Sequence, residues 1–127
     1  ILIIASLIEK ETDGKDRTNI ASVIYNRLNN VGETYHKLEI DAAVIYGLGY
    51  ANGENYAGPL TQADLDKDTP YNLRMHEGLP PTPICSPSLE ALKATLEPTD
   101  SDDLYFYITQ DEEYFSQTYE EHQQSWN

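Results

Sequence analysis

The stretch Ile1-Leu2-Ile3-Ile4-Ala5-Ser6-Leu7-Ile8-Glu9-Lys10-Glu11-Thr12 is an almost unbroken apolar run that leads straight into two carboxylates. Read as a helix, it is apolar on most sides, which marks an interior helix. Such a helix carries at least one acid out of the core and into a cleft. Burial disfavours the charged form of a carboxyl group, which then keeps its proton to higher pH and can donate it. A general acid that breaks a glycosidic bond needs that property. The plainer alternative is a core helix that ends in two solvated acids. On a helical wheel Glu9 follows Leu2 and Ala5, and Glu11 follows Ile4 and Leu7. Both faces are apolar, so periodicity does not choose between the two acids.

Working outward, 127 residues make one ordinary domain with room for a real core. A hydrophobic content of 39% with ten tyrosines describes a folded chain. A net charge of −14 argues against nucleic acid as a partner, because phosphate contacts need Lys and Arg. It equally disfavours adsorption on anionic lipid. Cys85 is the single cysteine, which excludes an intrachain disulfide, and it reads as a small buried apolar residue. His36, His76 and His122 show no metal-ligand spacing, so no metal is expected. No signal peptide or membrane span is apparent. The sequence opens in mid-element without a starting Met, which reads as a single catalytic domain, 1–127, from a longer protein.

The pattern predicts a helix over 2–12 and a second over Asp16 to Asn30, with Ile20, Val23, Ile24, Arg27 and Leu28 inward. Leu38 to Ile40 reads as a short extended piece. Asp41 reads as the N-cap of a short helix ending at Gly47. Residues 48–60 read as a surface loop. Thr61 and Asp64 resemble a capping box, and the proline-rich 69–87 reads as irregular. Ser86-Pro87 predicts the start of a helix through Leu89, Leu92 and Leu96, stopped by Pro98. Strands are expected over 104–108 and 114–117, joined by a polar turn. Thr118 and Glu121 predict a capping box for a last helix. These elements make an α+β fold, several short helices packed around a small antiparallel sheet.

The loop 69–84 is the second informative region. Prolines fix φ, so a long loop of this kind can be rigid, and long ordered loops in small domains are often functional. Tyr71 and Asn72 offer an aromatic face and a two-way amide, equipment suited to sugar rings and N-acetyl groups. The alternative is a structural Ω-loop over the core.

The segments Ala5-Ser6-Leu7-Ile8-Glu9-Lys10-Glu11-Thr12 and Ile20-Ala21-Ser22-Val23-Ile24-Tyr25-Asn26-Arg27-Leu28 together resemble the endolytic murein transglycosylases, the YceG-like family. The resemblance continues through Leu38-Glu39-Ile40-Asp41-Ala42-Ala43-Val44-Ile45-Tyr46-Gly47, Thr69-Pro70-Tyr71-Asn72 and Gly78-Leu79-Pro80-Pro81-Thr82-Pro83-Ile84. It closes with Leu104-Tyr105-Phe106 and Phe115-Ser116-Gln117-Thr118-Tyr119-Glu120-Glu121-His122. One such block is weak; this many in order is strong.

The resemblance implies a lysozyme-like cleft and cleavage of the MurNAc–GlcNAc bond within nascent peptidoglycan, leaving 1,6-anhydro-MurNAc ends. It implies a membrane-anchored enzyme on the extracytoplasmic face of a bacterial membrane, with cell-wall synthases as partners and no cofactor. Matching to the family motif puts the catalytic glutamate at Glu9, acting as acid and then base. Glu11 is the second candidate, a catalytic or an orienting group. Asn26, Asp41, Tyr46, Tyr71 and Asn72 are the candidate substrate contacts. Glu113 stands where the family commonly has a histidine, which bears on substrate contact there. The competing reading is a glycan-binding module without turnover.

Overall fold

The computed structural model describes residues 1–12, 14–30, 32–49, 60–108 and 113–125, with Tyr107, Ile108, Glu113 and Ser125 described by backbone only. Helix α1 spans Leu2–Glu11, α2 Arg17–Asn29, α3 Asp41–Gly47, α4 Gln62–Leu65 and α5 Leu89–Leu96. Strands β1, Tyr105–Ile108, and β2, Glu113–Ser116, precede α6, Tyr119–Ser125. The α+β class holds, with a two-stranded antiparallel sheet in which Phe106 faces Phe115 and Tyr105 faces Ser116.

The helices do not gather around that sheet. Helix α1 is the centre, touching α2, α3 and α5. Its sequence explains why: Ile4, Ala5, Ser6, Leu7 and Ile8 are five consecutive buried residues, so no side of its middle turns faces water. Ile20, Ala21 and Ile24 of α2 and Ala91 and Ala94 of α5 complete the core with Leu38, Leu73 and Ile84. The alanines of α5 let it lie close to α1. The hairpin packs on α6 and α2 at the side, giving Phe106 and Phe115 to the edge of the core.

Two polar groups fasten the irregular segments to this core. Ser6 Oγ donates to Ile3 O at 2.7 Å and accepts from Ile84 N at 3.1 Å. Asn72 is fully buried and donates to Leu65 O at 2.9 Å and Lys67 O at 2.8 Å. Its Oδ1 also accepts from Arg74 N at 3.1 Å, so a fully occupied amide replaces the ladder this loop lacks. Gly47 is required by close approach: a Cβ there would lie 2.5 Å from Thr69 Oγ1 and 2.8 Å from Tyr71 Cβ.

Several local expectations change. The N-cap of α3 is Ile40, without a side-chain cap bond, and Asp41 is the first helical residue. Helix α5 is capped by Ser88, whose Oγ accepts from Ala91 N at 3.2 Å, and not by Ser86. Within 38–40 Ile40 is extended as expected, but Glu39 adopts φ +53°, and among the described residues the stretch pairs with no strand. The capping box at Thr61 and Asp64 is present. Most of the expected loop at 48–60, and the turn containing Asp111 and Glu112, lie outside the described residues. The side chain of Glu113 does too, so its departure from the family histidine has no structural account.

Candidate active site

Six separate parts of the fold converge on one cleft of about 410 Å³. Helix α1 contributes Glu11, its last residue, and α2 contributes Arg27. The 39–41 corner contributes Glu39, Ile40 and Asp41, and the proline-rich loop contributes Arg74. Tyr105 and Phe106 of β1, with Tyr119 and His122 of α6, close the remaining wall. The volume falls in the range of about 300–1,000 Å³ usual for small-molecule sites.

The two acids of α1 have opposite surroundings. Glu11 has its pKa pushed up to about 7, first by burial and then by the negative charge of Asp41. Its place at the C-terminus of α1 acts in the same sense, since the helix dipole is negative there. Glu9 lies outside the cleft. Its Oε1 accepts the backbone N–H of Ser88 at 2.9 Å, at the start of α5. Hydrogen bonding from the side chain and backbone of Ser88 holds its carboxyl below the usual range. A carboxylate at a helix N-terminus is a cap in a favourable field.

Around Glu11 the charges are arranged in pairs. Arg27 Nη1 donates to Leu38 O at 2.7 Å, and Nη2 donates to Glu39 Oε1 at 3.2 Å. Its guanidinium lies over the Tyr105 ring, 5.1 Å from the centroid. Arg74 Nε donates to Asp41 Oδ1 at 2.9 Å. The Tyr105 hydroxyl is pushed up to about 12, by burial and then by its hydrogen bond to Glu33, so it stays a donor at 3.1 Å. His122 stacks on Tyr105 with centroids 5.1 Å apart. Burial, and then the charge of Arg27, depresses its proton affinity. Glu39 takes its left-handed backbone to aim a carboxylate at Arg27, a conformation that costs a non-glycine residue about 1–3 kcal/mol.

Of the sequence candidates, Glu11 and Asp41 meet in the cleft; Glu9, Asn26, Tyr46, Tyr71 and Asn72 do not line it. Asn26 donates to Ser101 O at 2.8 Å and Asp103 O at 3.0 Å, tying down the lead-in to β1. Tyr46 and Tyr71 pack on each other with centroids 5.0 Å apart, and the Tyr71 hydroxyl bonds Thr82 Oγ1 at 2.7 Å. Asn72 spends its amide inside its own loop, as above. Segments without regular structure need polar side chains to satisfy their backbone, and Asn26 and Asn72 meet that need. Sequence reasoning missed Glu39, Arg74, Tyr105, Phe106 and Tyr119 as cleft residues. Arg27 had a signal, a charged residue on an apolar stripe; Arg74 had none. Among the described residues no group of His, Cys, Asp and Glu side chains is arranged to hold a metal ion.

A model of the YceG-like family matches residues 1–127. The chain belongs to that family. It is 37% identical over 125 residues to an endolytic murein transglycosylase of Streptococcus pneumoniae (strain D39), covering 96% of this chain and 22% of that protein. It is 37% identical over 124 residues to an endolytic murein transglycosylase of Bacillus subtilis (strain 168), covering 96% of this chain and 32% of that protein. A crystal structure of a yceG-like protein from Listeria monocytogenes superposes with a TM-score of 0.81 at 40% identity, over 96% of this chain and 38% of that one. The YceG-like chain described here thus spans roughly a fifth to a third of the length of the curated relatives it matches. Among its described residues no helix is long and apolar enough to cross a membrane.

Proposed function

We propose that this chain supplies the catalytic centre of an endolytic murein transglycosylase, with Glu11 in the role the motif match gave to Glu9. The observation that carries this reading is the cleft position of Glu11 with a proton affinity near neutrality. A carboxyl group with a pKa of about 7 is divided between acid and base at working pH, which suits one residue used twice. Glu9 is held by Ser88 and does not line the cleft.

In the proposed reaction Glu11 gives its proton to the bridging oxygen as the bond from C1 of N-acetylmuramic acid breaks. The C6 hydroxyl of that same sugar attacks C1, and the Glu11 carboxylate takes the hydroxyl proton. No water is consumed and Glu11 ends protonated, ready for the next bond. The internal nucleophile is already close, so a second carboxylate to activate water is unnecessary. Glu39 and Asp41 also line the cleft, but each is engaged by an arginine, at 3.2 Å and 2.9 Å. Tyr105, Phe106 and Tyr119 supply the aromatic wall for sugar rings. The names of the relatives support peptidoglycan as the substrate, which puts the working site outside the cytoplasmic membrane.

Digestion of purified peptidoglycan, followed by mass spectrometry, tests the reading. Ends lighter by one water than hydrolytic ends are expected. Reducing, hydrolysed ends would instead make the protein a muramidase, and binding without cleavage would leave a glycan-binding module.

A further inference from the structure

We propose that Arg74 is a specificity-determining residue that receives a carboxylate carried on the muramyl side of the glycan. The inference rests on the transglycosylase reading and adds to it what the cleft recognises beside the scissile bond.

Charge makes the need plain. The chain carries −14 overall with only eight Lys and Arg, while muramyl residues carry acidic peptide stems, or a lactyl carboxylate where the stem is gone. Long-range attraction is therefore absent, and any favourable contact to those carboxylates must be local. Two arginines line the cleft. Arg27 is enclosed: its side chain is 11% exposed, its Nη atoms serve Leu38 O and Glu39, its guanidinium lies over the Tyr105 ring, and its Nε is buried without a partner among the described residues.

Arg74 is different. Its side chain is 40% exposed, and its hydrogen bond to Asp41 goes through Nε. Among the described residues its two terminal amino groups have no hydrogen-bond partner. The Nε bond fixes the plane of the guanidinium and leaves the Nη1/Nη2 fork unoccupied. That fork matches a carboxylate in two parallel hydrogen bonds. The other charges of the cleft allow an incoming anion: Glu39 is paired with Arg27, Asp41 with Arg74, and Glu11 is neutral when protonated.

Wild type and Arg74→Gln should be compared by kcat/KM on three strands: stems with free carboxylates, the same stems amidated, and strands stripped of stems so that the lactyl carboxylate is free. The expected penalty of the substitution is about tenfold where the recognised carboxylate is present, and within about twofold on the amidated strands. A penalty confined to stripped strands assigns the carboxylate to the lactyl group, and one on stemmed strands assigns it to the peptide. An equal penalty on all three strands overturns the proposal, since Arg74 would then merely brace Asp41; no penalty on any overturns it too. The same comparison by strand binding, in a Glu11→Gln background, reads recognition without turnover. Arg74-dependent binding with no cleavage by the wild type would sink only the transglycosylase reading. Cleavage without Arg74-dependent discrimination would sink only this one.

Discussion

Glu9 and Glu11 stand two residues apart on one helix, yet they occupy two chemically different regions of the molecule. At Glu9 the N-terminus of α5 arrives and offers a backbone N–H, so the carboxylate is stabilised and becomes a joint between helices. At Glu11 no described residue supplies a hydrogen bond; instead burial and the negative charge of Asp41 raise its proton affinity. The lesson is that the proton affinity of an acid is set by what its neighbours supply or withhold. The proline-rich loop shows the same division. Asn72 is locked into the loop, while Arg74, two residues on, reaches the cleft.

The largest expected effect separates the two acids by chemistry. Glu11→Gln should keep the fold and lower the cleavage rate by at least about a hundredfold, since general acid–base groups contribute about 10²–10⁴. Glu9→Gln should stay within a few-fold of wild type in the same assay of anhydro-ended products. The opposite ranking would return the catalytic role to Glu9.

Next comes pH. A carboxyl raised from 4.5 to about 7 in the folded state binds more protons folded than unfolded between those values. Stability therefore falls as pH rises through this window, by about 3 kcal/mol at most for Glu11. Glu11→Gln removes that loss: its denaturation midpoint should match wild type near pH 4 and exceed it at pH 8. In parallel, wild-type kcat/KM should decline as pH rises above about 7, because the first step needs the protonated acid. A wild-type stability that is flat from pH 4 to 8 would contradict the environment described for Glu11.

The loop comparison gives a smaller effect. Asn72→Ala removes the buried amide that donates to Leu65 O and Lys67 O and accepts from Arg74 N, and should cost about 2–3 kcal/mol in urea denaturation. Where the variant remains folded, its KM for glycan should be unchanged. A weakened KM without loss of stability would make Asn72 a sugar contact after all. Smallest is Glu9→Ala, which removes the partner of Ser88 N and should lower stability by about 1 kcal/mol in the same assay.

Much of the fold was legible because it depends on local pattern. The apolar run through Ile4–Ile8 forces an interior helix, although Ile1 and Leu2 stay exposed, and the stripe Ile20, Val23, Ile24 gives α2 its buried side. The alternation around Phe106 and the capping pair Thr61–Asp64 likewise act within a few residues. Prolines in 69–87 forbid regular structure by their own covalent geometry. The shift of the α5 cap from Ser86 to Ser88 shows where this runs out, since several serines can cap and the docking of Glu9 selects one.

The sequence by itself determined the helices, their buried faces, the hairpin and the family, and it narrowed the acid to two neighbours on α1. Only the tertiary structure gave those two their different surroundings. Ser88, which stabilises Glu9 as a carboxylate, is 79 residues away in sequence, and Asp41, which opposes ionisation of Glu11, is 30 residues away. Tyr105, Tyr119 and His122, which wall the Glu11 side, come from the far end of the chain. Periodicity reports which side of a helix is apolar, and both acids follow apolar sides. Whether a carboxyl keeps its proton depends on solvent exclusion and on charges brought in from distant segments, and those exist only once the chain has packed.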